Sequence, residues 1–213
     1  FNCTSYKHNS PIHQKVVACL KSHLYLEIAP GDTNYIMEEV TDVIEGKPRP
    51  ALYGVIMEQK SKKEIGYLVG VHLKAYAAFS EIRLKQLKVV HERVKELIKV
   101  KSLPVIITGD FNTHRLDQTK LPLNDVEMLQ EELAASNLKL VSHPFTATYK
   151  SGSFENLFDH IFVSSSVKVT KVNVGSACLS KKGSSTTRFA DVAFYNRFIS
   201  DHCPLMADLV LNI

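Results

Sequence analysis

Tryptophan is absent from these 213 residues, and cysteine is scarce, with Cys3, Cys19, Cys178 and Cys203 scattered along the chain. No two of them form a C-x-x-C pair, which argues against a structural zinc site, and a disulfide framework is not expected at this length. The cysteines therefore predict reduced thiols in an intracellular protein, cytoplasmic or nuclear. Asn2-Cys3-Thr4 fits the N-glycosylation sequon, a signal that matters only in a secreted chain. Also missing are an apolar run long enough to span a membrane and a visible signal peptide. Repeats and low-complexity tracts are lacking too. Nor is there a strong excess of charge: the net value of +4 permits an anionic ligand without demanding a nucleic acid.

What is present describes a folded domain. Hydrophobic residues make up 45% and charged residues 23% of the sequence, enough for one domain over residues 1–213 with a substantial core. Val16–Leu20 and Leu24–Ile28 read as short strands. Ala51–Glu58 and Ile65–Leu73 flank the polar "QKSKKE" and read as a hairpin. Leu87, Val90, Val94 and Leu97 keep helical spacing within a helix from about Phe79 to Val100, with lysines on its remaining surface. A second helix is expected from near Asn124, with Glu127 in capping-box position, to about Asn137. The last third carries three strand signals: "FDHIFVSS", "VKVTKVNV" and "PLMADLVL". Hairpins alternating with helices favour mainly antiparallel sheets over a doubly wound parallel one, an α/β chain of the α+β type.

Four clusters place polar residues where an apolar strand meets a loop: "GVHLKA" around His72, "GDFN" at 109–112, "FDHIF" around Asp159, and "SDHCP" at 200–204. Such strand ends are common places for functional groups. Strand alternation would put Asp110 and Asn112 on one side and Phe111 on the other. Each cluster alone is more often a turn or a satisfied hydrogen-bonding group than a catalyst. His114 and His160, which flank the motifs, are expected at the surface. Cys203 reads as core. Arg83 and Gln86 are expected to brace the loop after His72.

The order H-L, G-D-F-N, D-H-I-F, S-D-H resembles the endonuclease/exonuclease/phosphatase superfamily, over nearly the whole chain. "GVHLKA", "RLKQ" (Arg83–Gln86), "LPVIITGDFN" and "SDHCPLMADL" are most similar to its deadenylase branch, which includes nocturnin. The resemblance implies a DNase I-like two-sheet β-sandwich flanked by helices. It also implies a Mg²⁺-dependent phosphodiesterase, with Mn²⁺ as the alternative ion, acting on RNA or another phosphodiester as a 3′ exoribonuclease or deadenylase-like nuclease. Within enzymes, a nucleotide phosphatase or a lipid phosphodiesterase is the alternative. Outside them, a metal-impaired homologue would serve as a phosphate-binding or scaffold module.

The same resemblance assigns roles. Asp110 would activate the attacking water, and Asn112 would help hold water and phosphate. His202 would contact the phosphate or transfer a proton, and Asp159 would fix its tautomer. His72 would stabilise the phosphate from the opposite wall, Lys74 would reach a neighbouring phosphate, and Asp201 would ligate the metal. The family's first Asn is imitated only by Asn2, and its metal-binding Glu, usually in an L-Q-E-like strand, has no good counterpart. Glu39 in "IMEEV" lies too close to His72. The expectation is a sandwich lacking its first strands, truncated at the N-terminus: a fragment of a longer enzyme, a natural shortened homologue with impaired metal binding, or a chain whose sheet a partner chain or oligomer completes. Substrate choice is expected in the loop Thr113–Asn124.

Overall fold

The computed structural model describes residues 1–5, 17–28, 51–114, 125–141, 147–151, 154–174, 202–203 and 205–211. In chain order the strands are β1 (Asn2–Ser5), β2 (Val17–Leu20), β3 (Leu24–Ile28), β4 (Ala51–Glu58) and β5 (Glu64–His72). Helix α1 (Ser80–Val100) follows, then β6 (Val105–Asp110), α2 (Asp125–Ala134) and β7 (Leu138–Leu140). The last third holds β8 (Tyr149–Ser151), β9 (Phe154–Asn156), β10 (Asp159–Ser164), β11 (Val167–Val174) and β12 (Leu205–Leu211).

A six-stranded sheet in the order β3-β4-β5-β6-β10-β7 forms the centre. Its neighbours are antiparallel except for β5 and β6, which run parallel because α1 carries the chain back between them. Alternation along each strand gives the sheet two apolar faces. On one face Tyr53, Val69, Ile107 and Phe162 meet Leu87, Val90, Val94 and Leu97 of α1 and Leu129 and Leu133 of α2. On the other, Leu52, Ile56, Leu68, Ile106 and Ile161 meet Leu20 of β2, Val169 and Val172 of β11, and Leu205, Leu209 and Leu211 of β12. The layers are helices, central sheet and a second β layer, as the expected helix-flanked sandwich requires.

Helix α1 has the residues that its periodicity marked, and α2 ends before Asn137, whose φ of 55° takes the left-handed conformation asparagine tolerates. Its amide bonds the Ala134 carbonyl at 2.9 Å. His91 on α1 is fully buried and pins the two helices together, with Nδ1 2.8 Å from Glu132 and Nε2 2.6 Å from Ser136.

The cysteine expectation fails. Cys19 and Cys203 are both disulfide-bonded, and no free cysteine occurs among the described residues. Sequence spacing could not reveal this, because pairing depends on strand register: Cys19 on β2 lies opposite Cys3 on β1. The argument for an intracellular compartment from reduced thiols therefore falls. Asn2 uses its side-chain amide to bond the carbonyls of Ser22 at 3.1 Å and Leu24 at 2.6 Å, tying β1 to the turn before β3. Among the described residues no helix is long and apolar enough to cross a membrane.

Candidate active site

One row across the central sheet assembles the polar cluster. The parallel β5 and β6 end at the same edge, and antiparallel β10 begins there. In register His72 pairs with Asp110, and Asp110 pairs with Asp159. Residues paired across a ladder point to the same face. The sequence places an ionisable residue at each of these three strand ends, and topology makes them neighbours. His72 Nε2 lies 3.3 Å from Asp110 Oδ2.

Glycine is required just before Asp110. Gly109 has a φ of 140°, and a Cβ there would sit 2.1 Å from the Val71 carbonyl oxygen of β5. Beyond Asp110 the strand stops. Asn112 adopts a φ of 50°, donates its backbone amide to Asp110 Oδ1 at 2.8 Å and its side-chain amide to Oδ2 at 2.9 Å. The second side-chain hydrogen goes to the Leu73 carbonyl at 3.0 Å. Asp110 and Asn112 do converge, but through an aspartate-centred turn rather than the strand alternation expected from sequence. Phe111 turns away into the core against Phe162, with ring centroids 5.3 Å apart.

His202 arrives from a different part of the chain and is seated by backbone contacts. It bridges Tyr149, and the next amide, that of Cys203, bonds the Thr148 carbonyl at 2.7 Å. The rings of Tyr149 and Phe158 lie 5.1 and 6.1 Å from the imidazole. Thr148 is fully buried, and its hydroxyl receives the amides of Phe158 and Asp159 at 3.1 and 2.9 Å. One threonine thus fixes the chain at both members of the next pair. His202 Nδ1 lies 2.9 Å from Asp159 Oδ2, and its Nε2 lies 3.6 Å from Asp110 Oδ2. An ionised carboxylate accepts only, so Nδ1 carries the proton toward Asp159 and Nε2 faces Asp110. Nothing in sequence marked Thr148 or Tyr149, and Phe158 figured only as the first letter of "FDHIF", because they act through backbone and ring contacts set by the fold.

Other expected residues divide. Lys74 is nearly buried, and its ammonium rests 4.7 Å from the centre of the Phe79 ring. Arg83 and Gln86 do brace the loop after His72. Gln86 accepts the Lys74 amide at 2.8 Å, and Arg83 Nη1 donates to the carbonyls of Lys74 and Tyr76 at 3.0 and 2.6 Å. Burial pushes the Arg83 guanidinium below its ordinary value, while Asp125 beside it pushes back. His114 and His160 are not at the surface. Both are buried: His114 against Phe158, and His160 against Phe111 with its Nε2 2.8 Å from the Thr113 hydroxyl. His160 lies on β10 itself, opposite Gly109 of β6, and turns to the Phe111 side. Cys203 is buried as expected. Asp201, Glu39 and most of the loop Thr113–Asn124 lie outside the described residues.

Asp110, Asp159 and His202 offer ligand atoms within 4.8 Å of one another. Asp110, Asp159, His72 and His202 all remain partly exposed, on a wall whose backing is buried. Two carboxylates beside open water suit a hard divalent cation that keeps much of its hydration shell. The two carboxylates therefore suit such an ion, with His202 beside them as a donor to substrate and not as a ligand.

A model of the Endonuclease/Exonuclease/phosphatase family matches residues 31–202. No curated protein matches in sequence. Among solved structures, the Bacteroides thetaiotaomicron mannosyl-6-phosphatase Bt3783 is similar at 23% identity with a TM-score of 0.52, over 78% of this chain. This chain spans only 58% of that protein's length. The human nocturnin catalytic domain is similar at 16% identity and a TM-score of 0.58, over 98% of this chain and 72% of its own. TDP2 from D. rerio, complexed with single-strand DNA product, is similar at 17% identity and a TM-score of 0.63, over 98% and 76%. At these identities the likeness is one of fold.

Proposed function

Because the chain belongs to the endonuclease/exonuclease/phosphatase family, we propose that it is a divalent-metal-dependent phosphodiesterase that shortens RNA from the 3′ end. The observation that carries this reading is the convergence of the Asp159–His202 pair on Asp110, at 2.9 and 3.6 Å. Hydrolysis of a phosphodiester needs a base for water, charge stabilisation at phosphorus and a proton for the leaving oxygen.

Asp110 takes the proton of the attacking water. Asn112 occupies both carboxylate oxygens with N–H donors, which orients the carboxylate. His202, held as imidazolium by Asp159, presents its Nε2–H and protonates the leaving oxygen. His72 stabilises the phosphate from the β5 side, and Lys74 adds positive charge nearby. Asp201 and Asp159 would hold Mg²⁺ or Mn²⁺, which would supply positive charge at the phosphoryl oxygens. The disulfide-bonded cysteines support an oxidising compartment as the place of action.

A 5′-labelled RNA oligonucleotide tests the proposal. The expected result is a ladder of products shortened from the 3′ end with Mg²⁺ or Mn²⁺, abolished by EDTA and by a 3′ block. Hydrolysis of p-nitrophenyl phosphate with the oligonucleotide left intact would replace the nuclease reading with a phosphomonoesterase one.

A further inference from the structure

The two halves of the site sit at the ends of different strands, and one buried ion pair fastens the segments that leave both. Arg83 of α1 is completely buried. Its Nη1 holds the carbonyls of Lys74 and Tyr76, the segment that leaves His72. Its Nη2 donates to Ser80 Oγ at 2.9 Å and to Asp125 Oδ2 at 2.5 Å. The same Asp125 oxygen accepts the His114 amide at 2.7 Å, two residues past Asn112. A guanidinium thus grips the loop after His72, and the carboxylate paired with it grips the loop after Asp110 and Asn112. Asn112 adds a direct strut to Leu73.

Two features indicate that this pair does more than hold the core together. Arg83 Nε and Asp125 Oδ1 are buried with no hydrogen-bond partner among the described residues. A buried ion pair with unsatisfied atoms is a poor source of stability, since well-packed apolar residues usually do as well. Tyr76, moreover, takes a φ of 75°, a strained backbone for a residue other than glycine that must be held by its surroundings. Arg83 does so through the Tyr76 carbonyl.

The β5–β6 ladder pairs His72 with Asp110, and we infer that Arg83 and Asp125 form a positioning pair that locks the segments leaving these two strands, and so fixes the side chains of His72 and Asn112 relative to Asp110. The inference rests on the phosphodiesterase reading for its kinetic consequence, and on geometry alone for its structural one. Displacing reacting groups by about 1 Å can cost on the order of 100-fold in rate. The pair should therefore act on kcat and leave KM nearly unchanged.

The test uses the 213-residue chain with R83M/D125N, in which methionine fills the stem of Arg83 and asparagine keeps an acceptor for the His114 amide. R83K is the milder companion if the double variant does not fold. Bis(p-nitrophenyl) phosphate with Mg²⁺ is the kinetic probe, with Asp110→Ala as reference. Backbone hydrogen exchange is the second readout. The expected result is a fall in kcat of about 100-fold at a KM within about twofold, with faster exchange confined to residues 73–76 and 110–114. Wild-type kcat in a folded variant overturns the inference. So does exchange that is unchanged or rises evenly through β4, β5 and β10. If wild type and Asp110→Ala are equally inactive, the phosphodiesterase reading fails, and the exchange pattern alone decides for or against the pair.

Discussion

Replacing Asp159 by asparagine, with Mg²⁺ kept in excess so that the ion site stays filled, removes the negative charge that faces His202. The two side chains are nearly isosteric, and the Asp159 amide keeps its bond to Thr148, so the fold should survive. What changes is the partner of His202 Nδ1 at 2.9 Å. A hydrogen bond to a charged group contributes about 1.5–3 kcal/mol. With His202 28% and Asp159 19% exposed, solvent screening puts this one in the lower half, about 1.5–2 kcal/mol. At about 1.4 kcal/mol per tenfold, turnover should fall roughly 10–30-fold. An asparagine can also donate its amide to Nδ1 and hold that nitrogen unprotonated, which adds to the loss. The assay is kcat and KM on bis(p-nitrophenyl) phosphate across neutral pH, with the thermal midpoint as a check on folding. A folded variant with undiminished kcat would refute the assignment of His202 as the proton donor.

Other consequences follow from single positions. Gly109→Ala should destabilise the chain by about 2 kcal/mol or more, because its Cβ meets the β5 backbone; urea unfolding measures this, and an unchanged midpoint contradicts it. Burial, and then the charge of Glu64, raise the Tyr67 hydroxyl above its ordinary value. Its contribution to stability is therefore complete below the unfolded value of about 10 and is lost as pH rises through the folded one. Tyr67→Phe gives up the bond to the Leu97 carbonyl but should flatten the alkaline decline in stability, which chemical denaturation at stepped pH will show. Reducing the Cys203 disulfide with dithiothreitol should lower turnover, since that residue follows His202 and anchors to Thr148. Full activity after reduction confirmed by mass would count against this.

The legible parts of the chain were those written in local pattern. Leu87, Val90, Val94 and Leu97 announced α1 by their spacing, and the "QKSKKE" tip announced the β4–β5 hairpin. His72, Asp110, Asp159 and His202 were legible as strand-end residues in a family order. What no pattern could give was their meeting, which depends on β5 and β6 being parallel and β10 antiparallel beside them. Thr148 and Asp125 were invisible for the same reason: each acts on backbone amides distant in sequence. Asp110 and Asn112 were grouped correctly for the wrong cause, because the chain turns at Phe111 instead of continuing as a strand. The cysteines misled because disulfide bonding depends on which chain segments the fold brings together, and His114 and His160 because burial against Phe158 and Phe111 is set by packing.

The central claim is that Asp110 is the base around which the site is built. Cleavage of a labelled RNA oligonucleotide by wild type and Asp110→Ala, side by side with Mg²⁺ and with circular dichroism confirming the fold, tests it most directly. The account predicts a loss of at least about 1000-fold in the variant. Cleavage within about tenfold of wild type, a change of only about 1.4 kcal/mol in the barrier, would contradict it.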